Sequence, residues 1–259
     1  MIPLDRLRTL WVDTGTAPAD TDDAATDADD GLAYFRLRDL EPYLTEIEQE
    51  QLGTEEVRFV GGAPFRNPQL LPMLAACIDR DLQVTVSLDD IGTLTRHAGS
   101  LLEFGLWHAD ALTITLSLPH YSQAGYEARR GPGSWQPLLD ALTWLACHGF
   151  RLSITGDRWQ ETREVARRGF AALFRALDVP VDVEDPQQFL WAPDRHSRGP
   201  VPTCRCGRAV ARRWDSGQRV VRACPFLPTG QAVEFGAGLR SAQAPVRLDR
   251  PGCAGCFPP

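Results

Sequence analysis

Five of the seven cysteines, Cys204, Cys206, Cys224, Cys253 and Cys256, fall within residues 204–259. Cys204 and Cys206 form a C-x-C pair, and Cys253 and Cys256 form C-x-x-C. A C-x-x-C turn brings two thiolates onto one metal centre, and a hairpin can bring in the others. Four thiolates suit either a tetrahedral Zn²⁺ or a [4Fe–4S] cluster. The expected ligand set is Cys206, Cys224, Cys253 and Cys256, with Cys204 as the alternate for Cys206. The competing readings are a disulfide pair and a metal-free tail. Residues 1–6 (MIPLDR) show no basic run leading into an apolar stretch, so no secretory signal is expected. A reducing, cytoplasmic setting follows, which disfavours the disulfides.

A second chemically suggestive run is acidic. Residues 17–31 (APADTDDAATDADDG) carry Asp20, Asp22, Asp23, Asp27, Asp29 and Asp30. Such oxygens can hold Mg²⁺ or Ca²⁺, but the spacing fits no EF-hand. Like charges in series repel, so a solvated acidic loop is the preferred reading.

Other chemistries are excluded or weak. The sequence contains no lysine, which removes a lysine Schiff base and a P-loop lysine. No G-x-S-x-G elbow supports a hydrolase triad from Ser117 and His120, and no G-x-G-x-x-G follows a strand. His120, with Tyr121 beside it, lies just past a strand end; a surface role is expected before a substrate contact. His148 ends a helix, where an imidazolium complements the dipole. Asp89 or Asp90 is expected to cap a helix. The net charge of −7 argues against a nucleic-acid partner. Mean hydropathy of −0.24 and the lack of a long apolar run argue against a membrane span.

The elements that would position these residues follow a repeating rhythm. β-branched runs at residues 7–14, 57–61, 82–87, 111–117, 150–155 and 179–183 read as strands. Helical patterns occupy 37–52, 68–80, 91–104, 135–149 and 160–177. Short connections between such units call for a parallel sheet covered by helices, an α/β class. Right-handed crossovers put function at the carboxyl ends of the strands. The rhythm stops near Pro186. Two short runs then flank Asp215-Ser216-Gly217, a hairpin signal. The expected organisation is a domain at 1–190 and a Cys-rich tail at 191–259, which needs a metal or docking to hold it.

Together these segments resemble the radical S-adenosylmethionine (SAM) superfamily. Residues 57–65 (VRFVGGAPF) with Asn67-Pro68 resemble its strand, Gly-Gly-Glu-Pro turn and following helix. Residues 84–87 (VTVS) and 113–118 (TITLSL) resemble its third and fourth strands, and 130–135 (RGPGSW) its Arg-Gly segment. Cys206-Gly207, Gly217 and Cys224-Pro225 resemble the start of SPASM or twitch tails. The resemblance implies a partial (β/α)6 barrel with a small Cys-rich C-terminal extension. It also implies a SAM pocket at Gly61, Gly62, Ala63, Pro64, Ser87 and Ser117.

The departures are specific. The superfamily carries three cysteines after the first strand, where this sequence has residues 17–31, without Cys or His. Its Gly-Gly-Glu acid, which receives the ammonium of SAM, corresponds to Ala63. A turn without that acid would accept an adenosyl group only at much reduced affinity. The resulting expectation is a degenerate member without reductive SAM cleavage. It would act as an accessory or binding scaffold in a biosynthetic or modification pathway, with a C-terminal Fe–S or zinc site. Its partner would be an active radical SAM paralogue, or a peptide or small-molecule substrate. The alternatives are an enzyme with repurposed, non-radical chemistry in the barrel cavity, and a radical SAM enzyme whose cluster is supplied in trans.

Overall fold

The computed structural model describes residues 7–15, 34–61, 63–88, 90–157, 161–191, 208–213, 219–223 and 234–239. Strands and helices alternate along the chain, the α/β class expected from the sequence. The chain divides into two compact units, residues 1–85 with 193–259, and residues 86–192; the division falls within β3 (Gln83–Leu88).

In the first unit, β1 (Thr9–Asp13) lies parallel to β2 (Glu56–Val60), in the register Thr9↔Glu56 to Asp13↔Val60. On the other side of β1 lies β7 (Arg208–Arg213), also parallel. β7 and β8 (Arg219–Ala223) are antiparallel, as the hairpin signal predicts, and β9 (Glu234–Gly236) adds to β8. The tail therefore begins as an extension of the main sheet. Alternate residues Leu10, Val12, Val57 and Phe59 are buried. Helices α1 (Leu37–Gln49) and α2 (Leu70–Ile78) contribute Leu40, Tyr43, Leu44, Met73, Leu74 and Cys77 to the same core.

In the second unit, β4 (Leu112–Leu118) pairs in parallel with β5 (Arg151–Gly156), and β5 with β6 (Phe189–Trp191). Helices α3 (Ile91–His108), α4 (Gln123–Arg130), α5 (Trp135–Cys147) and α6 (Arg163–Ala176) separate the strands. Strand β4 alternates strictly: Leu112, Ile114, Leu116 and Leu118 are buried, while Thr113, Thr115 and Ser117 on the opposite face are half-buried. That is the two-residue period of a strand with one face packed more deeply than the other.

One local device recurs where helices return to the sheet. A residue with left-handed φ ends the helix, at Gln51, Asp81, Gly149 and Asp178. The next residue is apolar and buried: Leu52, Leu82, Phe150 and Val179. Its N–H donates five residues back, to the carbonyls of Ile47, Cys77, Leu145 and Phe174, at 2.9–3.2 Å. This is the Schellman termination with its apolar contact.

Two expectations need correction. Residues 179–183 form no strand: Pro180 removes a ladder donor, and Asp182 and Asp185 organise turns by accepting from Glu184 N and Gln187 N. The sixth strand is instead the three-residue β6. Helix α6 starts at Arg163 rather than 160, because the Thr162 side chain accepts from Val165 N and caps it.

Candidate functional site

Among the described residues, chemistry-bearing side chains collect at two places, one in each unit. The first is where β1 and β2 exit. Thr14 is fully buried: its N–H donates to Val60 O at 2.9 Å and its hydroxyl to Gly61 O at 2.5 Å. Its carbonyl accepts from Phe35 N (3.0 Å) and from Asn67 Nδ2 (3.2 Å). Gly61 has φ +68°, and a Cβ there would meet Asp13 Oδ1 at 2.6 Å. The Asp13 carboxylate thus packs directly on the turn, which requires glycine.

A polar row crosses the same face of the first unit's strands. The Arg58 guanidinium lies over the Trp11 ring, 5.4 Å from its centroid, and pairs with Glu56 Oε1 at 2.8 Å. Glu56 Oε1 also accepts from the Thr85 hydroxyl at 2.6 Å. A cavity of about 410 Å³ opens at the start of α1 between Arg36, Arg38, Glu41 and Gln69. Two amides of that helix start are already taken: Asp39 Oδ2 accepts from Arg36 N and Gln69 Oε1 from Leu37 N.

The second place is the carboxyl ends of β4 and β5, whose last residues, Leu118 and Gly156, pair in register. His120 and Tyr121 stack with centroids 4.5 Å apart. The Tyr121 hydroxyl donates to Glu161 Oε1 at 2.9 Å, and His120 Nε2 lies 3.9 Å from the same oxygen. His120 Nδ1 accepts from Ser122 N at 3.0 Å, so in the neutral ring the proton sits on Nε2, toward Glu161. The hydrogen bond to Glu161 pushes the Tyr121 pKa up, with burial adding to it. Two glycines make room for the ring pair: a Cβ at Gly125 would lie 2.3 Å from His120 Cγ, and one at Gly169 2.5 Å from the Tyr121 ring. Beside them Arg129 pairs with Asp157 at 2.9 Å.

The residues singled out in the sequence distribute as follows. Gly61 forms the turn, Ala63 is buried with left-handed φ +49°, and Pro64 opens a short 3-10 turn (Pro64–Arg66). Ser87 and Ser117 are half-buried near the ends of β3 and β4. Asp90 caps α3 by accepting from Gly92 N. His148 is the C-cap of α5, its Nδ1 2.7 Å from Trp144 O. Gly62, Asp89, the acidic run and Cys204, Cys206, Cys224, Cys253 and Cys256 lie outside the described residues. Glu161 is not signalled by the sequence: its partner Tyr121 stands 40 positions earlier, and the only local hint is its place beside the cap Thr162.

No family model matches the chain, and no curated protein matches it in sequence. Among solved structures, Streptococcus suis SuiB bound to S-adenosylmethionine superposes with TM-score 0.56, covering 90% of this chain and 61% of that one at 11% identity. The chain has a radical SAM-type fold. The same S. suis protein bound to precursor peptide SuiA gives TM-score 0.45 at 14% identity, over 68% of this chain and 38% of that one. Native anSMEcpe with bound AdoMet and Cp18Cys peptide gives 0.48 at 14% identity, over 75% and 54%. The chain thus spans between 38% and 61% of the length of these structures.

A radical SAM-type fold implies SAM and a [4Fe–4S] cluster, and the residues present do not fit them. The sequence after β1 offers carboxylates and no thiolate over residues 17–31, and carboxylates are too hard to replace three thiolates on such a cluster. Ala63, which the sequence resemblance sets against the superfamily's ammonium-binding acid, is a methyl side chain 2% exposed. Among the described residues, no group of three or more His, Cys, Asp or Glu could hold a metal ion. No described helix is long and apolar enough to cross a membrane.

Proposed function

We propose that the chain is a degenerate radical-SAM-like protein that does not cleave SAM reductively. It serves as an accessory or binding scaffold in a biosynthetic or modification pathway. The observation that carries this reading is the pairing of a radical SAM-type fold with a first loop free of cysteine and an alanine in place of the acid. Gly61, Gly62, Ala63, Pro64, Ser87 and Ser117 are then a vestigial SAM pocket. Without a carboxylate at position 63 the ammonium of SAM has no charged partner there, so affinity falls. The polar row of Glu56, Arg58 and Thr85 leaves the sheet face suited to a polar ligand, a peptide or small molecule. An active radical SAM paralogue is the alternative partner.

Cys206, Cys224, Cys253 and Cys256, with Cys204 as alternate, are proposed to hold a [4Fe–4S] cluster or Zn²⁺. In either case the role is structural, because a tail of this size gains most of its order from bound metal.

Anaerobic reconstitution with iron and sulfide, followed by iron and zinc analysis and an assay for 5′-deoxyadenosine, tests the reading. About four irons per chain, or one zinc, without product is expected. Formation of 5′-deoxyadenosine overturns the proposal. Loss of metal on Cys224→Ser and Cys253→Ser assigns it to the tail.

A further inference from the structure

We propose that Glu161 is the seat for a cationic nitrogen, an alkylammonium or guanidinium group, at the carboxyl ends of β4 and β5. The niche stands on its own geometry and holds whether or not the chain cleaves SAM. Glu161 Oε1 is occupied by the Tyr121 hydroxyl at 2.9 Å, with His120 Nε2 at 3.9 Å. Its other oxygen, Oε2, is buried and has no hydrogen-bond partner among the described residues. A buried carboxylate oxygen without a donor is unfavourable, and a donor delivered by a ligand removes that penalty.

The carboxylate is held rather than loose. Its two neighbours are stacked on each other, Ser122 pins the His120 ring through Nδ1, and Gly125 and Gly169 fit the rings too closely for any side chain. Pre-organisation of this kind lowers what must be ordered when a ligand arrives.

Charge selects the ligand. Tyr121 donates to Glu161, its pKa pushed up by that bond, and His120 turns Nε2 toward the same oxygen, so Glu161 is the acidic side chain that the ring pair surrounds. Arg129 is engaged by Asp157 at 2.9 Å, and the Arg163 guanidinium lies over Trp191. Neither forms an ion pair with Glu161. A divalent metal is disfavoured, because it would need several oxygen or nitrogen ligands and the Tyr121 hydroxyl is committed as a donor. His120 is likewise no general base through Nδ1, whose lone pair is taken by Ser122 N. What remains is an acceptor for a hydrogen-bonding cation. Such a group can be a free amine or guanidine, or a lysyl or arginyl side chain of a peptide.

Calorimetric titration of the full chain separates these cases. The probes are n-butylammonium, n-butylguanidinium, the neutral amide butanamide, and the blocked tripeptides acetyl-Gly-Lys-Gly-amide and acetyl-Gly-Arg-Gly-amide. Saturable one-to-one binding of a cation, weakened by salt and absent for butanamide, is expected. Tighter binding of a tripeptide than of its butyl analogue identifies a peptide side chain as the source, and the reverse identifies a free amine or guanidine. Glu161→Gln should weaken binding by about tenfold or more, Tyr121→Phe by severalfold, and Asp140→Asn on exposed α5 not at all. Should Glu161→Gln fail to fold by circular dichroism, the Glu161 ¹³Cδ resonance of labelled wild-type protein must still move on adding the butyl cations. Absence of saturable cation binding, equal binding by folded Glu161→Gln, or an unmoved ¹³Cδ resonance overturns the proposal.

Discussion

The Asn67 carboxamide donates a 2.7 Å hydrogen bond to the Phe35 carbonyl across 32 positions of sequence. The same Nδ2 reaches Thr14 O at 3.2 Å, and Oδ1 accepts from Gln69 N at 2.9 Å. One buried side chain therefore ties the exit of β1, the entry to α1 and the entry to α2. Asn67→Leu leaves the Phe35 carbonyl without this donor and should lower stability by about 2–4 kcal/mol. Urea denaturation measures it, and a loss under about 1 kcal/mol would show that the tie is dispensable.

Glycines separate by what surrounds them. A Cβ at Gly156 would lie 2.2 Å from Phe189 Cζ and 3.1 Å from Phe170 Cζ, in the aromatic core of the second unit. Gly156→Ala should cost about 1–3 kcal/mol through displaced rings. Gly99, in the exposed middle of α3, has nothing within 4 Å of its added Cβ. Gly99→Ala should stabilise by about 0.5–1 kcal/mol, because alanine loses less backbone freedom on folding. Thermal melts of the two variants should move in opposite directions.

The helix terminations offer a graded test. Gln51 carries φ +50° at an exposed site where Gly149 serves the equivalent turn with φ +74°. Gly149→Ala should destabilise by about 1 kcal/mol, and Gln51→Gly should be neutral or stabilising by a few tenths of a kcal/mol, strain relief offsetting chain entropy. Equal effects of the two changes on the melting temperature would contradict the left-handed reading.

Strands β1 to β5 and helices α1, α2, α3, α5 and α6 are legible because each buries a long enough stripe to imprint its period. Helix α4 is not: it spans eight residues and buries only Tyr126, so QAGYEARR shows no stripe, and the Ser122 cap is its one local signal. Strand β6 has three residues, too few for a pattern. The pairing of β7 with β1 joins residues some 200 positions apart, and no local sequence feature encodes such a partner. The same logic divides the candidate site. His120 and Tyr121 stand out by their place after β4, whereas Glu161 acquires meaning only when the fold brings it to Tyr121.

Two cysteines in the described residues should differ in reactivity. Cys77 is fully buried, and burial is the main cause of a thiol pKa pushed up to about 12, with Arg80 opposing and Glu41 assisting. Cys147 is exposed at the end of α5. Alkylation with iodoacetamide at pH 8, mapped by peptide mass, should label Cys147 and spare Cys77 until urea is added. The sign for stability follows. A folded-state pKa raised above the unfolded value favours the native state fully below the ordinary thiol range. That contribution is lost as pH climbs toward 12. Cys77→Ala should therefore flatten the alkaline fall in stability while removing some buried packing. Rapid native labelling of Cys77 would contradict its burial.

Position 63 gives the proposed vestigial pocket its most direct test. Its methyl is 2% exposed, its φ is +49°, and the neighbouring turn at Gly61 is packed against the Asp13 carboxylate. Ala63→Glu reinstates the acid that the radical SAM resemblance calls for, but asks a buried, left-handed site to hold a charge. Desolvation of that carboxylate should lower stability by about 2–4 kcal/mol. SAM at millimolar concentration should fail to restore the melting temperature, since the thiolates for its cluster remain absent. If Ala63→Glu instead melts like the parent chain and gains several degrees with SAM, the pocket is intact apart from one side chain. The proposed loss of SAM cleavage would then have to rest on the first loop alone.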